Sequence, residues 1–128
     1  MSETRKEVLM QDMYEQRQDL IGLLGECITY KKDNGRLLAI AEFEYKKART
    51  LLMTRMMLVG YTTEDGTTKP IAATAVYNLA QGDPDVAKLK LTRDYRQADA
   101  EVTQEKIYSI KLQINILEED IKNVRKGV

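Results

Sequence analysis

Histidine and tryptophan are absent from the 128 residues, cysteine and phenylalanine occur once each (Cys27, Phe43), and proline occurs twice (Pro70, Pro84). Each shortage closes off a class of function. Without histidine there is no imidazole for acid–base chemistry or metal ligation near neutral pH. A single cysteine can build neither a zinc site nor an intramolecular disulfide, and it fits a reducing cytosol. A Cys27 nucleophile would lack its usual base, and its place in an apolar seam points to a buried, inert thiol. Adjacent carboxylates such as Glu118, Glu119 and Asp120 fan around a helix instead of converging, so no metal site and no cofactor are expected. Residues 60–69 lack the glycine spacing and Gly-Lys-Ser/Thr ending of a phosphate loop. These absences point away from an enzyme.

Two further absences bear on location and partners. No apolar run approaches the ~18 residues of a membrane span, and residues 1–7 lack the apolar core of a signal peptide. The expected location is the cytoplasm, with no membrane partner. Charge of one sign is also missing: Lys plus Arg and Asp plus Glu are 20 each. That balance disfavours a dedicated nucleic-acid binder, and equally an acidic mimic of DNA.

What remains is helix. With 43% hydrophobic and 31% charged residues, the chain is too apolar for disorder and has the charge to solvate exposed helix faces. Both prolines fall between the periodic segments. The reading is a single all-α domain, an antiparallel hairpin or bundle of long helices with coiled-coil-like packing and one Thr/Gly-rich loop. Helices are expected at about 3–32, 36–59, 71–80 and 84–125, with the loop at 60–70.

The first helix starts at Ser2, a plausible cap. Its seam is Leu9, Met13, Gln16, Leu20, Leu23, Cys27 and Tyr30, spaced alternately four and three. Asp33-Asn34-Gly35 reads as a stop followed by an antiparallel return. The second helix carries Leu38, Ala41, Tyr45, Ala48, Leu52, Met56 and Val59, with Ile40, Phe43, Leu51, Met53, Met57 and Leu58 outside that stripe. Such girth implies a helix touched on more than one side. Asp65-Gly66 suits a tight turn flanked by pairing threonines. The last helix opens on Asp83-Pro84-Asp85, a cap, a proline at the first helical position and a charge suited to the dipole.

Along that last helix Leu91, Tyr95, Ala98 and Val102 form one stripe, which Leu112 and Ile116 continue. Ile107, Ile110, Ile114, Leu117, Ile121 and Val124 form another. Two apolar faces exceed what one intrachain neighbour covers, and the second stripe is read as the interface of a homo-oligomer. Burial under the first helix of the same chain is the alternative.

Glu44-Tyr45-Lys46-Lys47-Ala48 is echoed by Asp94-Tyr95-Arg96-Gln97-Ala98, as if two helices cross there. Crossing would gather Tyr45, Lys46, Arg49, Arg93, Tyr95 and Arg96 into a cationic, tyrosine-edged groove for a phosphate or nucleobase. The plainer reading is surface charge paired with Glu42, Glu44, Asp94 and Asp99. In the loop, Tyr61, Thr67, Thr68 and Lys69 are the candidates for closing over a ligand or docking on a partner, unless the loop only connects helices.

An Ala-x-x-x-Tyr-Lys-x-Ala helix (41–48), a loop, a short alanine-rich helix, Gly82-Asp83-Pro84-Asp85-Val86 and a long helix with Tyr95 and a heptad end follow in that order. The order resembles the small coiled-coil-containing proteins of tailed bacteriophages, found among recombination, replication or host-takeover genes. The resemblance covers roughly residues 38–124 and brings no established functional residues. It implies a phage or prophage origin and a non-enzymatic role. The expected function is binding that neutralises a host defence factor, either a host protein or a small anionic nucleotide ligand. Two alternatives stay open: an accessory of phage DNA recombination or replication that contacts single-stranded DNA or its binding proteins, and a structural assembly factor.

Overall fold

The structure, a computed structural model, describes residues 2–127, without the side chains of Tyr61 and Thr62. Three helices dominate: α1 (Glu3–Val59), α2 (Ala73–Gln81) and α3 (Pro84–Arg125). Between α1 and α2 lies a two-stranded antiparallel hairpin, β1 (Tyr61–Thr62) and β2 (Thr68–Lys69), with Tyr61 opposite Lys69 and Thr62 opposite Thr68. No helix among the described residues is long and apolar enough to cross a membrane.

The helix ends follow local chemistry. The Arg5 N–H donates to Ser2 Oγ (3.2 Å) at the start of α1. The Asp85 and Val86 N–H groups both donate to Asp83 Oδ2 (3.1 Å each) at the start of α3, satisfying two of the donors that every helix start leaves free. At the far end of α1, Gly60 takes φ +75° and its N–H donates to the Met56 carbonyl (2.9 Å). A left-handed residue that closes a helix this way is usually glycine.

The chain falls into two compact units. The first comprises Met1–Asn34 and Asp99–Val128, the second Gly35–Ala98. In the first unit the two helical segments run antiparallel. Arg17 Nε meets Glu118 Oε1 at 3.1 Å, and the Tyr30 hydroxyl donates to Asp99 Oδ2 at 3.2 Å. Lys31 pairs with Gln104, and Arg125 with the Tyr14 hydroxyl. Cys27, Ile107, Ile110 and Ile114 form the core, with Leu20 and Leu24 packed against them. In the second unit Ala41, Tyr45, Val76, Ala80 and Val86 are buried, drawn from all three helices.

Three expectations are corrected here. First, α1 does not stop at Asp33-Asn34-Gly35 but continues to Val59, so no hairpin forms between 3–32 and 36–59. The covered positions of α1 explain why. Leu20, Leu24, Cys27, Asn34, Leu38, Ala41, Tyr45, Ala48 and Leu52 are buried or half-buried. Apart from the gap at Lys31, their steps of three and four pass through the Asp-Asn-Gly without a change of phase. A helical glycine costs about 1 kcal/mol relative to alanine, whereas the row's half-buried leucines contribute about 1 kcal/mol each, and there are four of them beside buried Cys27 and Tyr45. The packing wins. Leu23 and Tyr30, placed in the seam by sequence, lie on the exposed side.

Second, the two apolar stripes read along α3 are not both covered: its buried positions keep one phase from end to end. Val86, Leu89, Arg93, Arg96, Ala100, Thr103, Ile107, Ile110, Ile114, Leu117, Ile121 and Val124 are all buried or half-buried, in steps of three and four throughout. What changes is the chemistry of the row: arginine, alanine and threonine in its first half, isoleucine in its second. The apolar stripe of Leu91, Tyr95 and Val102 is solvent-exposed.

Third, Ile107 and Ile110 are 3% and 2% exposed, Ile114, Leu117 and Ile121 are buried, and Val124 is half-buried. Leu20, Leu24 and Cys27 of α1 pack on Ile107, Ile110 and Ile114. These residues are therefore the interior of the first unit and not a free face for a second protomer. The face left open on this part of α3 is Val102, Leu112 and Ile116.

Candidate functional site: a tyrosine among arginines

Tyr45 is 2% exposed, and it and Val76 are the two large side chains buried most completely among the described residues. Its position in the covered row of α1 sends the ring into the second unit. The hydroxyl donates to Gln81 Oε1 (2.8 Å) on α2, and Gln81 Nε2 donates in turn to the Tyr77 hydroxyl (3.1 Å) one turn back. Arg49, one turn beyond Tyr45, donates to the same hydroxyl from a guanidinium nitrogen (3.3 Å). Its guanidinium carbon lies 5.1 Å from the Tyr45 ring centroid and 5.4 Å from that of Tyr77. From α3, the guanidinium of Arg93 lies 4.9 Å from the Tyr45 centroid, while its Nε pairs with Asp94 Oδ1 at 2.8 Å.

Two cations therefore converge on one phenol, within the ~6 Å over which an aromatic face attracts a cation. Burial alone raises the Tyr45 pKa. Hydrogen bonding at Gln81 and Arg49 and the positive charges of Arg49 and Arg93 together outweigh it, so the net direction is down from 10.0. No buried side-chain nitrogen or oxygen among the described residues lacks a hydrogen-bond partner. The site is thus a satisfied polar core whose two guanidinium groups carry positive charge.

Of the six residues expected to form a groove, the structure brings Tyr45, Arg49 and Arg93 together. Arg96 occupies the same covered row of α3 and is half-buried. Tyr95 does not join them: it is 67% exposed on the outer side of α3. Nor does Lys46, which lines a shallow groove of about 370 Å³ with Phe43, Lys47, Thr50 and Leu51 on the outside of α1. Since successive helix residues differ by about 100°, the paired Tyr-Lys and Tyr-Arg echoes cannot both turn inward. Tyr77 and Gln81 are the residues the sequence reading missed. Their signal was a tyrosine and a glutamine four apart on a helix, facing a neighbour with a buried phenol.

In the loop, Thr67, Thr68 and Lys69 are exposed, and the side chain of Tyr61 lies outside the described residues. The Thr67 N–H and the Thr63 hydroxyl both donate to Asp65 Oδ1, and the Thr63 hydroxyl also reaches the Thr67 carbonyl (3.0 Å). Those hydrogen bonds hold the Asp65 carboxylate below its ordinary pKa. Gly66 at φ +83° completes the turn. The threonine hydroxyls and backbone here brace the hairpin.

The first unit has a groove of its own, about 490 Å³, with Cys27 at its base and Glu26, Tyr30, Asp99 and Lys106 around it. Among the described residues no group of three or more cysteine, aspartate or glutamate side chains is placed to hold a metal ion. Comparison of the chain with family models, with curated proteins and with solved structures found no match in any of the three.

Proposed function

We propose that this chain is a non-enzymatic, self-associating helical interaction protein of the tailed-phage kind. On this reading it acts in the cytoplasm of an infected cell by occupying a host protein, and its long helices pack in a coiled-coil-like manner. One observation carries the reading: beside the covered rows of α1 and α3, large apolar side chains stand exposed on both helices. They include Ile40, Phe43, Leu51 and Leu58 on α1, and Val102, Leu112 and Ile116 on α3. Apolar surface gathered on helix faces marks interaction sites more often than chance exposure does. The spacing of the covered rows in threes and fours supports the coiled-coil element.

The test uses the outer face of α3, away from the buried core. Tagged wild-type protein and the Leu112→Asp/Ile116→Asp variant are expressed in a bacterial host, and helicity is compared by circular dichroism. A bacterial protein retained in stoichiometric amount by wild type and lost by an equally helical variant supports the reading. Identical retention by both, or by neither, overturns it.

A second reading, sequestration of a small anionic nucleotide, is favoured by the convergence of Arg49 and Arg93 on Tyr45. Two guanidinium groups held close together suit the charge of a phosphate. Native mass spectrometry of gently purified protein separates the readings. A few hundred extra daltons, lost in Arg49→Ala, would favour the ligand. Strong, salt-sensitive binding of single-stranded DNA would instead favour an accessory role in recombination or replication.

A further inference from the structure

The second unit carries a second row on α1 that no intrachain neighbour covers. Leu37, Ile40, Glu44, Lys47, Leu51 and Thr54 are spaced three, four, three, four, three, and all six are exposed. Ile40 and Leu51 are 54% and 58% exposed. At about 100° per residue this row is centred about 110° around the helix from the covered row of Leu38, Ala41, Tyr45, Ala48 and Leu52. Leu37, Ile40 and Leu51 thus leave apolar surface on this side of α1 that the chain itself does not bury.

The charges in the row say what supplies the other. Glu44 and Lys47 sit at its centre, where a purely apolar seam would have leucines. Laid parallel in register on a second copy, the row would set Glu44 on Glu44 and Lys47 on Lys47, and like charges in a seam repel. Laid antiparallel about a two-fold axis between those residues, it sets Glu44 opposite Lys47 twice, Ile40 opposite Leu51 twice and Leu37 opposite Thr54 twice. Shifting the antiparallel register by one step of the row puts Glu44 opposite Leu51 or opposite itself. Only one alignment pairs every charge with its opposite and every isoleucine with a leucine. Polar residues at single seam positions are a known means of specifying register and partner orientation. A self-complementary patch is what a two-fold dimer requires. Among the described residues Glu44 makes no ion pair within its own chain.

We propose that this outer row of α1 is the surface of a homodimer, paired antiparallel with the same row of a second copy through reciprocal Glu44–Lys47 contacts. The inference rests on reading the chain as self-associating, and it names the face and the register.

The test is a set of charge reversals in the full chain, read by native mass spectrometry and by light scattering after gel filtration. Both positions are exposed on a helix, so the fold is not at risk, and circular dichroism checks it. Wild type runs as a dimer of twice 14.7 kDa. Glu44→Lys and Lys47→Glu, each alone, place like charges opposite each other and weaken the dimer tenfold or more. Mixing the two single variants restores a dimer containing one copy of each, because every facing pair is then opposite in charge. The double variant E44K/K47E also restores it. A wild-type dimer whose single variants dimerise equally well overturns the face while leaving self-association standing. Single variants that stay monomeric when mixed overturn the antiparallel register. A wild-type monomer overturns both the inference and the reading beneath it.

Discussion

Replacing Tyr45 tests whether the second unit is organised around its phenol. Tyr45→Phe keeps the ring and its two cation contacts but removes the hydroxyl that donates to Gln81 and accepts from Arg49. A net hydrogen bond in a folded protein contributes about 0.5–1.5 kcal/mol, and one to a charged group about 1.5–3. The long 3.3 Å contact to Arg49 puts that bond at the weak end, so the expected loss is about 1–2 kcal/mol. Tyr45→Ala also removes the buried ring, for about 3–5 kcal/mol, and two cation–ring attractions of about 0.5–1 kcal/mol each. It should cost at least about 4 kcal/mol. Urea denaturation followed by circular dichroism reads both, as a lower midpoint at unchanged slope. The pH dependence follows from the downward pKa shift. The folded protein favours the phenolate relative to the unfolded chain, whose tyrosine titrates near 10.0. This part of the stability is absent below the folded pKa, grows as pH rises from it, and is complete above 10.0. Wild type should therefore gain on Tyr45→Phe as pH rises through that window. A Tyr45→Phe loss under about 0.3 kcal/mol, or a difference that narrows with rising pH, would refute the argument.

Other consequences are simpler to read. Ile110→Ala should cost about 2–5 kcal/mol as a buried cavity, while exposed Ile116→Ala should stay within about 0.5 kcal/mol; urea midpoints in the reverse order would mean that the covered row of α3 is wrongly identified. Gly60 and Gly66 both have positive φ, but only a side chain at Gly60 would collide with the Lys69 carbonyl. Gly60→Ala should therefore lower the melting temperature more than Gly66→Ala, and equal effects would remove the close-approach argument. Asp83→Ala should cost about 0.5–2 kcal/mol through loss of the α3 cap, with Asp83→Asn retaining most of it in the same denaturation assay.

How much of this was legible in the residues depends on which force decided each feature. The helical class, the cap at Asp83 and the glycine end of α1 follow from local chemistry, and local chemistry is what a sequence displays directly. The continuity of α1 is decided by a non-local term. Asp33-Asn34-Gly35 carries every short-range sign of a stop, yet Asn34 falls in phase with Cys27 and Leu38 and is buried. The summed propensity penalty of Asp33, Asn34 and Gly35, about 2 kcal/mol, falls short of what the covered row gains in total on both sides of them. The same reasoning explains the misplaced face of α3. Hydrophobicity alone assigns Leu91, Tyr95 and Val102 inward because they are apolar and Arg93 outward because it is charged. A buried tyrosine reverses that order, since a guanidinium over its ring loses less on leaving water than a charge buried without a partner. Tyr45 and Tyr95 were expected in one groove, but they share only an echoed sequence neighbourhood: the first is buried and the second exposed. The actual companions of Tyr45, Tyr77 and Gln81, come from a helix that looks like a plain alanine-rich connector. Position within the 3–4 row, more than residue type, decides which side chains meet in this fold. For that reason Glu44 and Lys47, charged residues set between Ile40 and Leu51 in the exposed outer row of α1, are the more informative departure from pattern.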